Sequence, residues 1–293
     1  MKKHQLLTMG RTLLIGLLLS LAGLANAQDL AEIKARGVLR HLGTPYANFV
    51  TGGGAGLDVE IIQLFAQHLG VRYEYVPTDW RNMIPDLIGA DGKHPIRGDV
   101  GASGITILPS RTAVLDFSVP VFPTAVWLAA TKHSKINPIK PSGNLSRDIQ
   151  ETKERMHQGT TLVSDVGCLD PKLYGLLGKG YRLQDIKSFP DLALNDMIPA
   201  MLKGLTDMSM LDVPDLIVGM EKWPGQVKVI GPISEEQDTA AAFRKSSPAL
   251  REAFNTFFTG MKKDGTYMKL VNKYYRAAPR YFPIFFKSLK EQR

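Results

Sequence analysis

Two stretches of this chain alternate strand-like and helix-like segments in the same order, and that repeated alternation leaves few folds open. In the first, Val38-Leu39-Arg40-His41-Leu42 reads as a short strand that ends in the turn Gly43-Thr44-Pro45. Residues 57–69 follow with Leu57, Ile61, Leu64 or Phe65 and Leu69 at helical spacing. Asp58 and Glu60 suit the positive end of that helix, and Gly70 stands where a left-handed cap belongs. Residues 71–76 alternate at the strand period, Asp79 can cap a short helix over 81–88, and 99–107 reads as a further strand. Strand, helix, strand, helix, strand is the grammar of an α/β layer.

The grammar restarts near Ala125. Residues 126–131, 160–163 and 208–211 read as strands; 146–156 and 192–202 read as helices, the first charged and exposed. Two α/β lobes therefore fit better than one wide sheet. Beyond them, Ser247 can cap a helix that begins at Pro248, and 266–275 is a second amphipathic helix. An aromatic tail over 277–293 follows, with no packing partner evident from its pattern.

Composition narrows function by exclusion. At 293 residues, 44% apolar and 22% charged, the chain is neither disordered, fibrous nor a polytopic membrane protein. The first 27 residues read as a cleavable secretion signal, with basic Lys2, Lys3 and Arg11, an apolar run over 13–24, and Ala25-Asn26-Ala27. The mature protein is then expected outside the cytoplasm, in the periplasm, and its remaining positive excess is spread too evenly for nucleic acid. Cys168 is the only cysteine, so no disulfide framework forms within the chain. His41, His68, His94, His133 and His157 share no ligand spacing, no metal or cofactor is expected, and Gly52-Gly53-Gly54 reads as a hairpin loop.

The most informative segment is GDVGASGITILPSRTAVLDFSVPVF, residues 98–122. Ser103, Gly104, Thr106 and Arg111 place a hydroxyl, a small residue exposing backbone N–H groups and a guanidinium within nine residues, which together can cradle a carboxylate. The planar fork of arginine matches that anion bidentately. Two partners are open to Arg111 on these grounds: a ligand carboxylate, or Asp116 in a loop ion pair.

This segment resembles the pattern D-hhh-S-G-h-T-h-T-x-x-R-x-x-x-h-D-F-S-x-P of the extracellular solute-binding proteins of family 3, the polar amino-acid receptors of ABC importers. GLDVEIIQLFAQHLGVRYEYVPTDWRNMIPDL and FRKSSPALREAFNTFFTGMKKDGTYMKLVNKYY resemble two further blocks of the family, so the likeness covers most of the mature chain. The resemblance implies a two-lobed type II periplasmic-binding-protein fold with two crossing strands. Lobe 1 would comprise 28–123 plus 239–293, lobe 2 124–238, with crossings near 122–124 and 232–239. By resemblance Arg111, helped by Thr106, Ser103 and Gly104, binds the ligand carboxylate; Trp80 and Tyr46 are its aromatic walls. Asp212 in LDVPD matches the acid that accepts the ligand ammonium, with Asp215 the alternative in a shifted register. Gly167 and Cys168 match a Gly-Thr turn whose amides complete the cradle.

The departures limit the carry-over. Pro45 stands where receptors of basic side chains commonly have an acid, which argues against lysine, arginine or histidine as ligand. Cys168 replaces a threonine. The expected role is a monomeric, non-enzymatic receptor that delivers a small carboxylate or amino acid to an inner-membrane ABC permease. A periplasmic dehydratase-like enzyme, or an accessory or sensor protein on the same scaffold, is the alternative.

Overall fold

The computed structural model describes residues 29–52, 54–89, 94–186, 189 and 192–291; the segment read as a secretion signal lies outside them, as does part of the loop at 89–97. The chain builds a type II binding-protein architecture from two five-stranded sheets and a two-stranded ribbon.

The first sheet starts from β1 (Val38–Gly43), which pairs in parallel with β2 (Arg72–Pro77) and β3 (Val100–Gly101). β4 is Leu115–Phe117, and the last strand of the chain, β12 (Ala242–Arg244), returns to pair antiparallel with both β3 and β4. The helix Leu57–Leu69 covers this sheet and ends on Gly70 at φ 72, its N–H donating to the Ala66 and Gln67 carbonyls. The strand read over 99–107 shortens to two residues. The chain turns away at Gly104 (φ 66), and its backbone donors go to Leu42 and Asp58.

β5 (Phe122–Thr124) leaves the first sheet and pairs antiparallel with β11 (Gln237–Thr239), Pro123 opposite Asp238. Between these two strands the chain completes the second sheet. It contains β6 (Val126–Thr131), β7 (Thr160–Val163), β8 (Arg182–Asp185), β9 (Met208–Asp212) and β10 (Val227–Pro232), ordered β10-β6-β9-β7-β8. Asn144 caps the helix Leu145–Met156 by accepting from the Arg147 N–H, and β9 runs straight into the helix Val213–Lys222. The helix read over 192–202 divides into a 3-10 turn, Leu194–Asp196, and the helix Met197–Leu202. Ser247 precedes the helix Pro248–Asp264 without a side-chain cap bond.

The aromatic tail packs behind the ribbon. Phe122 is fully buried among Phe49, Tyr275, Phe282 and Phe286. Tyr281, at the end of the turn Ala278–Tyr281, lies 5.8 Å from the Trp127 ring of the second sheet, and its hydroxyl reaches the Met220 sulfur. The tail thus touches the crossing strand and the second lobe together. Among the described residues no helix is long and apolar enough to cross a membrane.

Candidate functional site

The strand ends that face the space between the sheets carry the candidate residues, the position where open α/β sheets place ligands. β1 leads into Tyr46, β2 into Trp80, β3 into Gly104 and Thr106, and β9 into Asp212. Together with Arg111, Gly167 and Cys168 these residues line one small cavity, about 270 Å³ when the space open to solvent at its mouth is included, and Val166, Leu169 and Leu194 supply its remaining walls.

Arg111 stands on a single helical turn, Pro109–Thr112, where proline pre-sets the first residue. Its Nη1 donates to the Thr106 carbonyl at 2.9 Å, and among the described residues it forms no ion pair. Asp116 pairs instead with Arg251 at 3.1 Å. Burial pulls the Arg111 pKa below its ordinary value, which marks a cation stripped of water rather than one near deprotonation. Its Nη2 approaches the second lobe so closely that a Cβ on Gly167 would sit 2.8 Å away. Gly167 also has φ 61, so glycine answers both the contact and the backbone there.

Asp212 faces the cavity from the opposite lobe. Its Oδ1 caps the following helix by accepting the Asp215 N–H at 3.1 Å, and the Tyr46 hydroxyl of the first lobe stands near enough to favour its charged form. Burial raises its pKa to about 6, with the Tyr46 hydroxyl and the Asp215 N–H opposing the rise. Asp215 lines a different depression, beside Asn48, Asn195 and Lys222, and burial together with the Asp212 charge pushes its pKa well up. Of the two acids in LDVPD, Asp212 is therefore the one that lines this cavity.

Two expected cradle members are arranged otherwise. The Ser103 hydroxyl donates to the Ala102 carbonyl at 2.6 Å and accepts the Thr44 N–H at 3.0 Å, so it ties two loops together and does not line the cavity. Gly104 lines the cavity, yet its N–H donates to Asp58 at 2.7 Å. Its missing Cβ makes room for the Phe49 ring, 2.5 Å from where that atom would stand. The Ser103 hydroxyl and the Gly104 N–H are thus engaged within the first lobe. Thr106 does line the cavity, beside Cys168. That thiol has a pKa pushed by burial to about 12, so it stays protonated and is a poor nucleophile.

The lobes stand closed on the cavity. Trp80 packs edge-on against Tyr46 with ring centroids 5.3 Å apart. At the rim Arg81 holds Asp165 at 3.0 Å, and Asn195 accepts the Ala47 N–H while donating to the Pro45 carbonyl. Sequence reading missed these rim contacts and the apolar walls, because each joins segments more than 80 residues apart. Among the described residues no group of three or more His, Cys, Asp or Glu could hold a metal ion.

The profile of the bacterial extracellular solute-binding proteins, family 3, matches residues 41–277. The chain belongs to that family. It is 27% identical over 285 residues to the L-cystine-binding protein TcyJ of Escherichia coli, covering 92% of this chain and 97% of TcyJ. It is 26% identical over 222 residues to the membrane-bound lytic murein transglycosylase F of Desulfosudis oleivorans, covering 76% of this chain but only 44% of that protein. The crystal structure of the ancestral amino-acid-binding protein AncCDT-1, described as a precursor of cyclohexadienyl dehydratase, superposes with a TM-score of 0.66 at 25% identity, over 84% of this chain and 98% of that one. The family thus includes binding proteins and parts of enzymes, and the site has to distinguish them.

Proposed function

We propose that this family-3 protein is a periplasmic receptor that takes an amino acid into the interlobe cleft, closes on it, and presents the closed form to the permease of an ABC importer. One observation carries the reading: a guanidinium on one lobe and a carboxylate on the other line the same small cavity. An amino-acid zwitterion offers the complement of both, a carboxylate for Arg111 and an ammonium for Asp212. Such a ligand touches both lobes only when they meet, so its binding free energy favours closure. Micromolar affinity needs about −8 kcal/mol, within reach of two charge-assisted ends and burial against Trp80. TcyJ, which the chain matches almost end to end, is named for binding an amino acid, and this supports the class of ligand.

We read the cleft as binding without turnover. A dehydratase needs a proton donor beside the reacting bond. Of the two acids near the cavity, Asp215 lies in a separate depression, and Asp212 is held as the cap of the following helix, placed for a ligand ammonium. Mass spectrometry of whatever is released from the denatured purified protein tests the assignment. An amino acid is the expected finding, and its return should restore compaction measured by small-angle scattering. Conversion of a cyclohexadienyl acid by the purified protein would replace this reading with the enzymatic one.

A further inference from the structure

The cavity offers each end of a zwitterion one charged partner and then runs out of charge. Among the described residues lining it, Arg111 and Asp212 are the only ionised groups. The rest of the wall is Trp80, Val166, Leu169, Leu194, Gly104 and Gly167, with three neutral polar side chains, Tyr46, Thr106 and Cys168.

The charged groups nearest the mouth are already engaged. Arg81 is held by Asp165 across the rim, and Asp79 accepts from the Arg81 and Asn82 backbones and from the Asn82 side chain. Asp212 itself accepts the Asp215 N–H, and its remaining lone pairs suit one ligand ammonium beside the Tyr46 ring.

We propose that the ligand is an amino acid whose side chain carries no charge, lodged against Trp80, Val166, Leu169 and Leu194. A second positive or negative group would lose its water without meeting an opposite charge, and an unpaired buried ion is the most costly thing such a pocket can hold. Uncharged side chains escape that cost, and an apolar one gains from leaving water. This inference rests on the receptor reading, and it departs from basic-ligand members of the fold, a departure to which Pro45 also points.

Isothermal titration of protein stripped of ligand by unfolding and refolding tests it, using L-leucine, L-methionine, L-glutamine, L-arginine, L-lysine and L-glutamate, each repeated on Arg111→Ala. At least one of the three uncharged amino acids is expected to bind roughly 100-fold more tightly than any charged one, and to lose that affinity in the variant. Arginine, lysine or glutamate binding as tightly as the best uncharged probe, and still depending on Arg111, would overturn the inference while leaving the receptor reading intact. No Arg111-dependent binding of any of the six would overturn both.

Discussion

Replacing Arg111 by alanine is expected to weaken ligand binding by about a hundredfold or more while leaving the melting temperature of the empty protein unchanged or slightly higher. The guanidinium spends one of its five N–H donors on the Thr106 carbonyl, forms no ion pair among the described residues, and lies largely out of water. A cation in that position costs stability until an anion arrives, so its removal relieves the empty protein. In the complex the same removal leaves a buried carboxylate unpaired, at roughly 3–5 kcal/mol, which corresponds to about two to three and a half decades of affinity. Arg111→Lys keeps the charge but not the planar fork, and should fall between the two. Calorimetric titration and thermal melts of the three proteins decide this. A variant that binds within threefold of the wild type, or that unfolds without ligand, would show that Arg111 serves the fold instead.

Asp58 carries the largest expected effect on stability. It sits in the first turn of the helix Leu57–Leu69, buried, with Oδ2 accepting the Gly104 N–H that shapes the floor of the cavity. Burial raises its pKa from 3.8 to about 7, the Gly104 bond opposing. An acid with a raised folded-state pKa binds its proton more tightly when folded. Its contribution to stability is therefore fully present below pH 4 and is lost as pH rises through about 7. His41 titrates the other way. Buried between the Tyr73 hydroxyl and the Ala102 carbonyl, its pKa is lowered by burial to about 4, so its contribution is lost as pH falls below 6.5. Because the two oppose each other in the wild type, the useful quantity is a difference. Asp58→Asn keeps an acceptor for Gly104 and cannot ionise. Its stability relative to wild type should rise by roughly 2–3 kcal/mol between pH 5 and pH 8 in urea unfolding. A difference independent of pH would mean that Asp58 is paired or hydrated in solution.

The parts of this molecule visible in its sequence are those written in local patterns. The helix Leu57–Leu69 announces itself through apolar spacing, first-turn acids and Gly70; β6 and β7 do so as bounded apolar runs. The residues of the cavity were legible only through motif likeness, since nothing local distinguishes Asp212 from Asp215. The fold separates them by placing Asp212 on the cavity wall with Tyr46 and Arg111, and Asp215 in another depression. Ser103 and Gly104 show the opposite failure. Residue type and spacing suit a carboxylate cradle, but the hydroxyl and the N–H are already bonded to the loop at Thr44 and to Asp58, contacts that exist only once the first sheet has folded. The packing of the tail on Phe122 and Trp127 was equally hidden, because its aromatic residues are spaced for a hinge and two lobes at once.

A crystal structure with the co-purifying ligand examines the central idea most directly. The account predicts a ligand carboxylate within hydrogen-bond distance of the Arg111 guanidinium, a donor of the same molecule on Asp212, and the remainder against Trp80. A ligand held entirely by one lobe, or one that leaves Arg111 bonded to Thr106 alone, would contradict it.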